Sequence, residues 1–336
     1  MKAPLNVAVV GATGAVGQKV LSILEERRFP VGRMLPFASA RSAGKRLLFN
    51  DLEVPIQELS EGCFKGVDIA FFAAGGAVSE TWAPLAAREG AVVIDKSSVF
   101  RQNPEVPLVV PEVNRQAIFR HRGIIATPNC STIQMVVALK PLLDAADLRR
   151  LVVSTYQATS GAGAKGPVEL MDSTRAALEG KNFSAKTFAH PIGFNAVPHI
   201  DAFMENGWTK EEMKMVWETH KIFEDDSIPV AATCVRIPVV TSHSESICAE
   251  FKRPISVEEV LQLWKKTPGI LVVNDPSRKR YPMPVDAADT DPVYVGRLRQ
   301  DLDDPNTIHF WCVSDNLRKG AALNAVQIAE CLLQEK

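Results

Sequence analysis

Three glycines at fixed spacing, Gly11-Ala12-Thr13-Gly14-Ala15-Val16-Gly17, follow the apolar run 5–10 directly and open a helical pattern. A strand that turns through glycine into a helix brings backbone N–H groups and the positive end of the helix dipole to one point. That arrangement suits a dinucleotide pyrophosphate. The helix is legible in Val16, Val20 and Leu24, at four-residue steps across 14–28. Phe29-Pro30 ends it, because proline disfavours the helical conformation in the residue before it. A glycine trio by itself also fits a structural turn, but its place between first strand and first helix favours a cofactor loop. Gly11, Thr13, Gly14, Ala15 and Val16 are its candidate contacts.

The end of the second strand bears on which dinucleotide. An NAD site carries an acidic residue there for the ribose 2′-hydroxyl, whereas this chain reads Ala38-Ser39-Ala40-Arg41-Ser42. A guanidinium flanked by hydroxyls suits a 2′-phosphate, so Ser39, Arg41 and Ser42 point to NADP. The competing reading is an arginine in an exposed loop.

With 336 residues the chain is long enough for two domains. Strands are expected at 33–39, 67–73, 91–95, 108–110 and 123–127, separated by helices and apolar enough to be covered on both faces. After residue 128 a helix at 131–145 leads into strands at 150–158, 230–240, 245–252, 293–299 and 307–313, with Asp303-Asp304-Pro305-Asn306 as a hairpin turn. A helix at 209–224 opens with Thr209 and Glu212 at capping-box spacing, and the last helix runs over 316–335. The fold class is therefore α/β: a Rossmann-type dinucleotide-binding domain, 1–128 plus 316–336, and an α+β domain, 129–315, with a mostly antiparallel sheet.

Several classes are excluded. Lys and Arg number 38 against 39 acidic residues, which leaves no broad basic surface for a nucleic-acid partner. No apolar run approaches bilayer length, and the N-terminus lacks the pattern of a signal peptide, so a cytoplasmic protein is expected. Six scattered cysteines without a C-x-x-C pair give neither a disulfide framework nor a metal site.

One cysteine stands apart. Thr127-Pro128-Asn129-Cys130-Ser131-Thr132 leaves a strand and enters a helix, where unpaired N–H groups and the dipole stabilise a thiolate. The same N–H groups could form an oxyanion hole. The other five lie in apolar strands, the last helix or a loop, where a buried small hydrophobe is the default.

The glycine loop, Pro128-Asn129-Cys130-Ser131-Thr132 and Thr155-Tyr156-Gln157-Ala158-Thr159-Ser160-Gly161-Ala162-Gly163 together resemble aspartate-semialdehyde dehydrogenases of the bacterial form. Arg236-Ile237-Pro238-Val239, His243-Ser244-Glu245 and Asn316-Leu317-Arg318-Lys319-Gly320-Ala321-Ala322 add to the resemblance, which runs in order from about residue 5 to the C-terminus. It implies NADP-dependent reductive dephosphorylation of 4-phospho-L-aspartate to L-aspartate-4-semialdehyde through a cysteine thioester. Cys130 would be the nucleophile, His243 the acid/base residue, and Gln157 a catalytic and substrate-holding group.

By the same resemblance Arg236 clamps the substrate carboxylate, while Arg101 and Lys214 bind phosphate. Asn129 and Glu211 complete the substrate site, and Ser160, Gly161 and Asn316 contact the nicotinamide end of the cofactor. Read from the residues alone, Arg236 could equally serve an internal salt bridge, and Lys210–Lys214 a solvated helix surface. The resemblance further implies a homodimer through the second domain, with a tetramer left open. The nearest alternatives are another acyl-phosphate reductase, such as N-acetyl-γ-glutamyl-phosphate reductase, and a non-catalytic NADP-binding relative. Cys130, Gln157, Arg236 and His243 together weigh against the last.

Overall fold

A computed structural model describes residues 4–334. The chain divides into two compact units: one takes the described residues up to Pro128 together with those from Ala321 onward, the other Asn129–Gly320.

The first unit alternates β1 (Leu5–Val10), α1 (Ala15–Glu26), β2 (Val31–Phe37), β3 (Arg46–Phe49), β4 (Leu52–Pro55), β5 (Ile69–Phe72), α2 (Gly76–Arg88), β6 (Val92–Asp95), the single turn α3 (Pro111–Asn114) and β7 (Ile124–Ala126). Its five-stranded sheet has the order β2-β1-β5-β6-β7, every pair parallel. Both faces of β1 and β5 are buried, which is why these strands read as unbroken apolar runs. The expected strand at 108–110 does not form. Pro107 and Pro111 bracket it, and only an isolated bridge, Leu108 to Ala126, remains. The unexpected β3–β4 hairpin turns at Asn50 and Asp51, both left-handed at φ 48° and 61°, the geometry a tight hairpin turn demands.

The second unit runs α4 (Cys130–Ala146), β8 (Leu148–Gln157), α5 (Lys165–Leu178), α6 (Lys210–Phe223), β9 (Val230–Arg236), β10 (His243–Phe251), α7 (Val257–Lys266), β11 (Ile270–Val272), the turn α8 (Pro284–Ala287), β12 (Val293–Gln300) and β13 (Thr307–Ser314). Its six-stranded sheet has the order β11-β12-β13-β10-β8-β9. The three central pairings are antiparallel and both edge strands pair in parallel, so the sheet is mostly antiparallel, as expected, with parallel edges. α4 is apolar on nearly every side and correspondingly buried, with the Trp264 indole N–H donating to the Ala138 carbonyl at 2.9 Å. The capping box of α6 is present: the Thr209 N–H donates to Glu212 Oε2 at 2.8 Å, and the Glu212 N–H to Thr209 Oγ1 at 3.3 Å.

The last helix, α9 (Leu323–Gln334), starts seven residues later than expected, because Arg318–Ala322 form a π-helical turn first. α9 closes the core of the first unit. Leu323, Val326 and Ile328 pack with Val7, Val9, Ile23 and Leu24, each contributing about 1.5–3 kcal/mol by burial. The Asn324 amide donates to the Val109 carbonyl at 2.9 Å, and Arg27 pairs with Glu330 at 2.7 Å. Among the described residues no helix is long and apolar enough to cross a membrane.

Candidate active site

In the first unit the glycine loop forms a tight cradle. Gly11 has φ +88°, and a Cβ on it would lie 2.8 Å from the Ala73 backbone; one on Gly17 would lie 2.1 Å from the Gly11 carbonyl oxygen. The Gly11 and Ala12 N–H groups are spent on the Phe37 carbonyl. Gly14 caps α1 without a side-chain bond, and the first turn carries no acid. Thr13 and Gly14 are exposed, Ala15 and Val16 half-buried. The helix entry therefore offers donors and positive potential with nothing of its own filling them, which fits a dinucleotide phosphate. Ser39, Arg41 and Ser42 lie on the turn after β2, with the Ser42 N–H donating to the Ser39 carbonyl at 2.8 Å. Ser39 and Arg41 are exposed, as a 2′-phosphate site requires. Arg101 is buried in the loop after β6, one amino group donating to the Lys96 carbonyl at 2.9 Å.

The second unit holds the cysteine. Cys130 is the first residue of α4 and half-buried; Asn129 is its N-cap, accepting the Ser131 N–H on its side chain at 2.9 Å. The Ser131 donor is thus already engaged by the cap. The electrostatic support for a thiolate comes from the helix end as a whole and from Arg236, which feels charge on Cys130. Glu211 ties this corner together. It accepts from the Asn129 amide at 2.9 Å and the Gln157 amide at 3.2 Å, and pairs with Lys214 at 3.0 Å. Burial would push the Glu211 carboxyl up, but Lys214 and these hydrogen bonds outweigh it and hold it down at about 2. Lys214 also bridges to Asp201 at 2.7 Å. Gln157 donates as well to the Ser131 hydroxyl at 2.8 Å.

Sheet register supplies the rest. Gln157 pairs with Arg236 across β8 and β9, and Tyr156 with Ser244 across β8 and β10. Arg236, Gln157 and His243 therefore reach the same end of three neighbouring strands. One residue, Ala158, orients two of them: its carbonyl accepts from Arg236 at 2.6 Å, and its N–H donates to His243 Nδ1 at 3.0 Å. With Nδ1 as acceptor, the ring proton of neutral His243 sits on Nε2. The Arg236 guanidinium stands 5.7 Å from the Phe188 ring and is buried, yet among the described residues it makes no salt bridge. Burial pushes its pKa down, only partly offset by Glu211 and Cys130. A buried cation so placed suits an arriving anion.

Gly161 faces this pair. A Cβ there would lie 2.8 Å from Arg236 and 3.1 Å from His243 Nε2, so a larger residue would displace both. Ser160 and Asn316 exchange hydrogen bonds at 3.1 and 3.0 Å. Asn316 Oδ1 also accepts the Ser242 N–H at 2.9 Å, holding that serine at φ +72°, a region that favours glycine, just before His243. Glu245, two residues on, is wholly buried, and burial pushes its carboxyl well up from the ordinary value.

Three participants were not legible beforehand. Ala158 and Gly320 both lie inside motifs quoted above, and a Cβ on Gly320 would lie 2.9 Å from Cys130 Cβ. The third, Glu218, accepts the Asn129 backbone N–H at 2.5 Å; its one sequence signal is its spacing of seven from Glu211 on the same helix.

Comparison with known proteins bears on this arrangement. A family model described as "Semialdehyde dehydrogenase, NAD binding domain" matches residues 6–121, and one described as "Semialdehyde dehydrogenase, dimerisation domain" matches 139–319. The chain is 55% identical over 334 residues to aspartate-semialdehyde dehydrogenase of Aquifex aeolicus (strain VF5), covering 98% of each. It is 50% identical over 336 residues to that of Bacillus subtilis (strain 168), covering 98% of this chain and 97% of the relative. Among solved structures, aspartate semialdehyde dehydrogenase II of Vibrio cholerae complexed with ASA is similar at a TM-score of 0.96 and 50% identity, covering 99% of both chains. The Candida albicans enzyme with NADP is similar at 0.78 and 28% identity, covering 98% of this chain and 99% of that one.

Proposed function

The chain belongs to the aspartate-semialdehyde dehydrogenase family, and from that membership we propose how its residues divide the reaction. The enzyme is an NADP-dependent oxidoreductase of aspartate-family amino-acid biosynthesis, converting 4-phospho-L-aspartate to L-aspartate-4-semialdehyde and phosphate. The Gly11–Val16 loop would hold NADPH, with Ser39, Arg41 and Ser42 meeting a 2′-phosphate, and the bound cofactor would supply a hydride.

The Cys130 sulfur attacks the C4 acyl carbon; a C–S bond forms, the C–O bond to phosphate breaks, and phosphate leaves with the electron pair. Arg101 and Lys214 neutralise that leaving charge. Reduction of the thioester by that hydride would place negative charge on its oxygen, which His243 would meet as a donor through Nε2–H. The oxygen then re-forms the carbonyl and expels the sulfur, releasing the aldehyde and restoring Cys130. Gln157 and Asn129 hold the acyl group against the sulfur. Glu211, anionic throughout the working pH range, receives the substrate ammonium and orients Lys214. Ser160, Gly161 and Asn316 serve the nicotinamide end.

The observation that carries this reading is Arg236, a buried guanidinium without an ion-pair partner among the described residues, electrostatically linked to a cysteine at a helix entry. It calls for a substrate with a free carboxylate. Arg236→Lys should raise the substrate KM roughly 100-fold, because an ammonium cannot reproduce the two-pronged contact. The direct assay is phosphate-dependent NADP reduction with aspartate semialdehyde, run beside NAD. Turnover independent of phosphate, or preference for N-acetyl-glutamyl phosphate in the reverse direction, would overturn the assignment.

The second unit assembles the protein as a homodimer through the sheet face opposite α4, where Tyr156 and Trp311 pack at 5.2 Å and Val152 is exposed; a tetramer is the alternative state. Sedimentation of the wild type against Trp311→Glu tests that face. The same reading places the enzyme in the cytoplasm.

A further inference from the structure

The nucleophile helix α4 has an unusual cap. In a capping box the N3 side chain, Glu or Gln, reaches back to the N–H of the N-cap residue. α6 does this with Glu212, but in α4 the N3 residue is Thr132, whose short side chain cannot. The missing half comes from another helix: Glu218 Oε2 accepts the Asn129 backbone N–H at 2.5 Å, in a wholly buried setting. Seven residues earlier, on the same face of α6, Glu211 takes the Asn129 side-chain amide at 2.9 Å. Asn129 is thereby gripped by main chain and side chain at once, immediately before Cys130, while its own Oδ1 caps Ser131.

We propose that Glu218 is a positioning residue for the reaction: its buried carboxylate completes the α4 cap from outside the helix and, with Glu211, fixes where Cys130 presents its sulfur. Burying a carboxylate is costly, and one oxygen of this one accepts the backbone donor that immediately precedes the nucleophile. Misplacing a reacting group by about 1 Å can cost on the order of 100-fold in rate, so a clamp here bears on turnover more than on binding. The proposal rests on Cys130 as nucleophile, and the first measurement below does not depend on any substrate.

Hydrogen exchange in the full chain, followed by mass spectrometry on the peptide spanning 127–133, reads the clamp. Glu218→Met keeps the side-chain volume without an acceptor, Glu218→Gln keeps an acceptor without the charge, and Ile222→Ala on the same helix controls for lost stability. Glu218→Met is expected to speed exchange at Asn129 roughly 10-fold and to lower kcat about 10-fold or more, with the KM values for NADP and aspartate semialdehyde within about 3-fold of wild type. Glu218→Gln should restore both to within about 3-fold, and Ile222→Ala should lower Tm with neither change.

Unaltered exchange in Glu218→Met, a kcat that does not follow the exchange, no rescue by Gln, or the same pattern in Ile222→Ala would each overturn the proposal. If the Met variant does not fold, Gln decides alone, and a kcat more than about 10-fold below wild type defeats it. A wild type that lacks activity on aspartate semialdehyde defeats the functional reading, while the exchange comparison still judges the clamp.

Discussion

Two helices begin at functional points, and the chain treats the two beginnings in opposite ways. α1 starts at Gly14, with no side-chain cap and no acid in its first turn. α4 starts at Asn129, capped by its own side chain and gripped by two carboxylates from α6. Both present the same positive dipole end and the same surplus of N–H donors. An entry left bare suits a guest anion that must come and go. An entry filled with protein acceptors leaves little for a guest but fixes the adjoining residue, which suits a nucleophile that must not move. The lesson is that a helix N-terminus binds or positions according to what already occupies its donors.

The strongest way to break the contrast is at the filled entry. Cys130→Ser should lower turnover on the order of 10,000-fold while leaving NADP affinity unchanged. Cofactor titration beside the activity assay checks this, and loss of NADP binding would contradict the separation of roles. The bare entry is probed by filling it. Gly14 has φ −81° and ψ 164°, a backbone that aspartate adopts readily as a cap. Gly14→Asp should weaken NADP binding roughly 10- to 100-fold, through occupied donors and like charge, with Tm unchanged or slightly higher. Unchanged affinity would mean that the cofactor phosphates lie elsewhere.

The smallest expected effect concerns the acid at the filled entry. Glu211 sits at about 2 against an ordinary 4.5, so its charge stabilises the fold above pH 4.5 and that contribution is lost as pH falls toward 2. Glu211→Gln should therefore flatten the pH dependence of unfolding across that window. It should not abolish it, because Asp201, also held low with Lys214 opposing burial, still titrates. Urea unfolding at several pH values reads the slope, and an unaltered slope would show that Glu211 gains little from its partners.

Much of the fold was legible where local chemistry decides it. The loop 11–17, the capping box at Thr209 and Glu212, and the hairpin turn at 303–306 are all found where composition and spacing put them. Misreadings fall where neighbours decide. Residues 108–110 are apolar enough for a strand, but flanking prolines leave only a bridge. The pattern over 316–335 reads as one helix, yet the chain first makes a π-helical turn through Arg318–Ala322. Strand β9 stops at Arg236 rather than 240, with Pro238 just beyond.

The candidate site divides along the same line. Sequence alone determined that a glycine cradle precedes α1 and that a cysteine opens α4, because both rest on residues adjacent in the chain and on dihedral and dipole effects that act within one turn. Tertiary structure alone decided that Ala158 aims both Arg236 and His243, that β8 and β9 bring Gln157 beside Arg236, and that Glu218 closes a cap 89 residues away. Strand register and helix packing are settled by the whole core at once, so no local spacing encodes them.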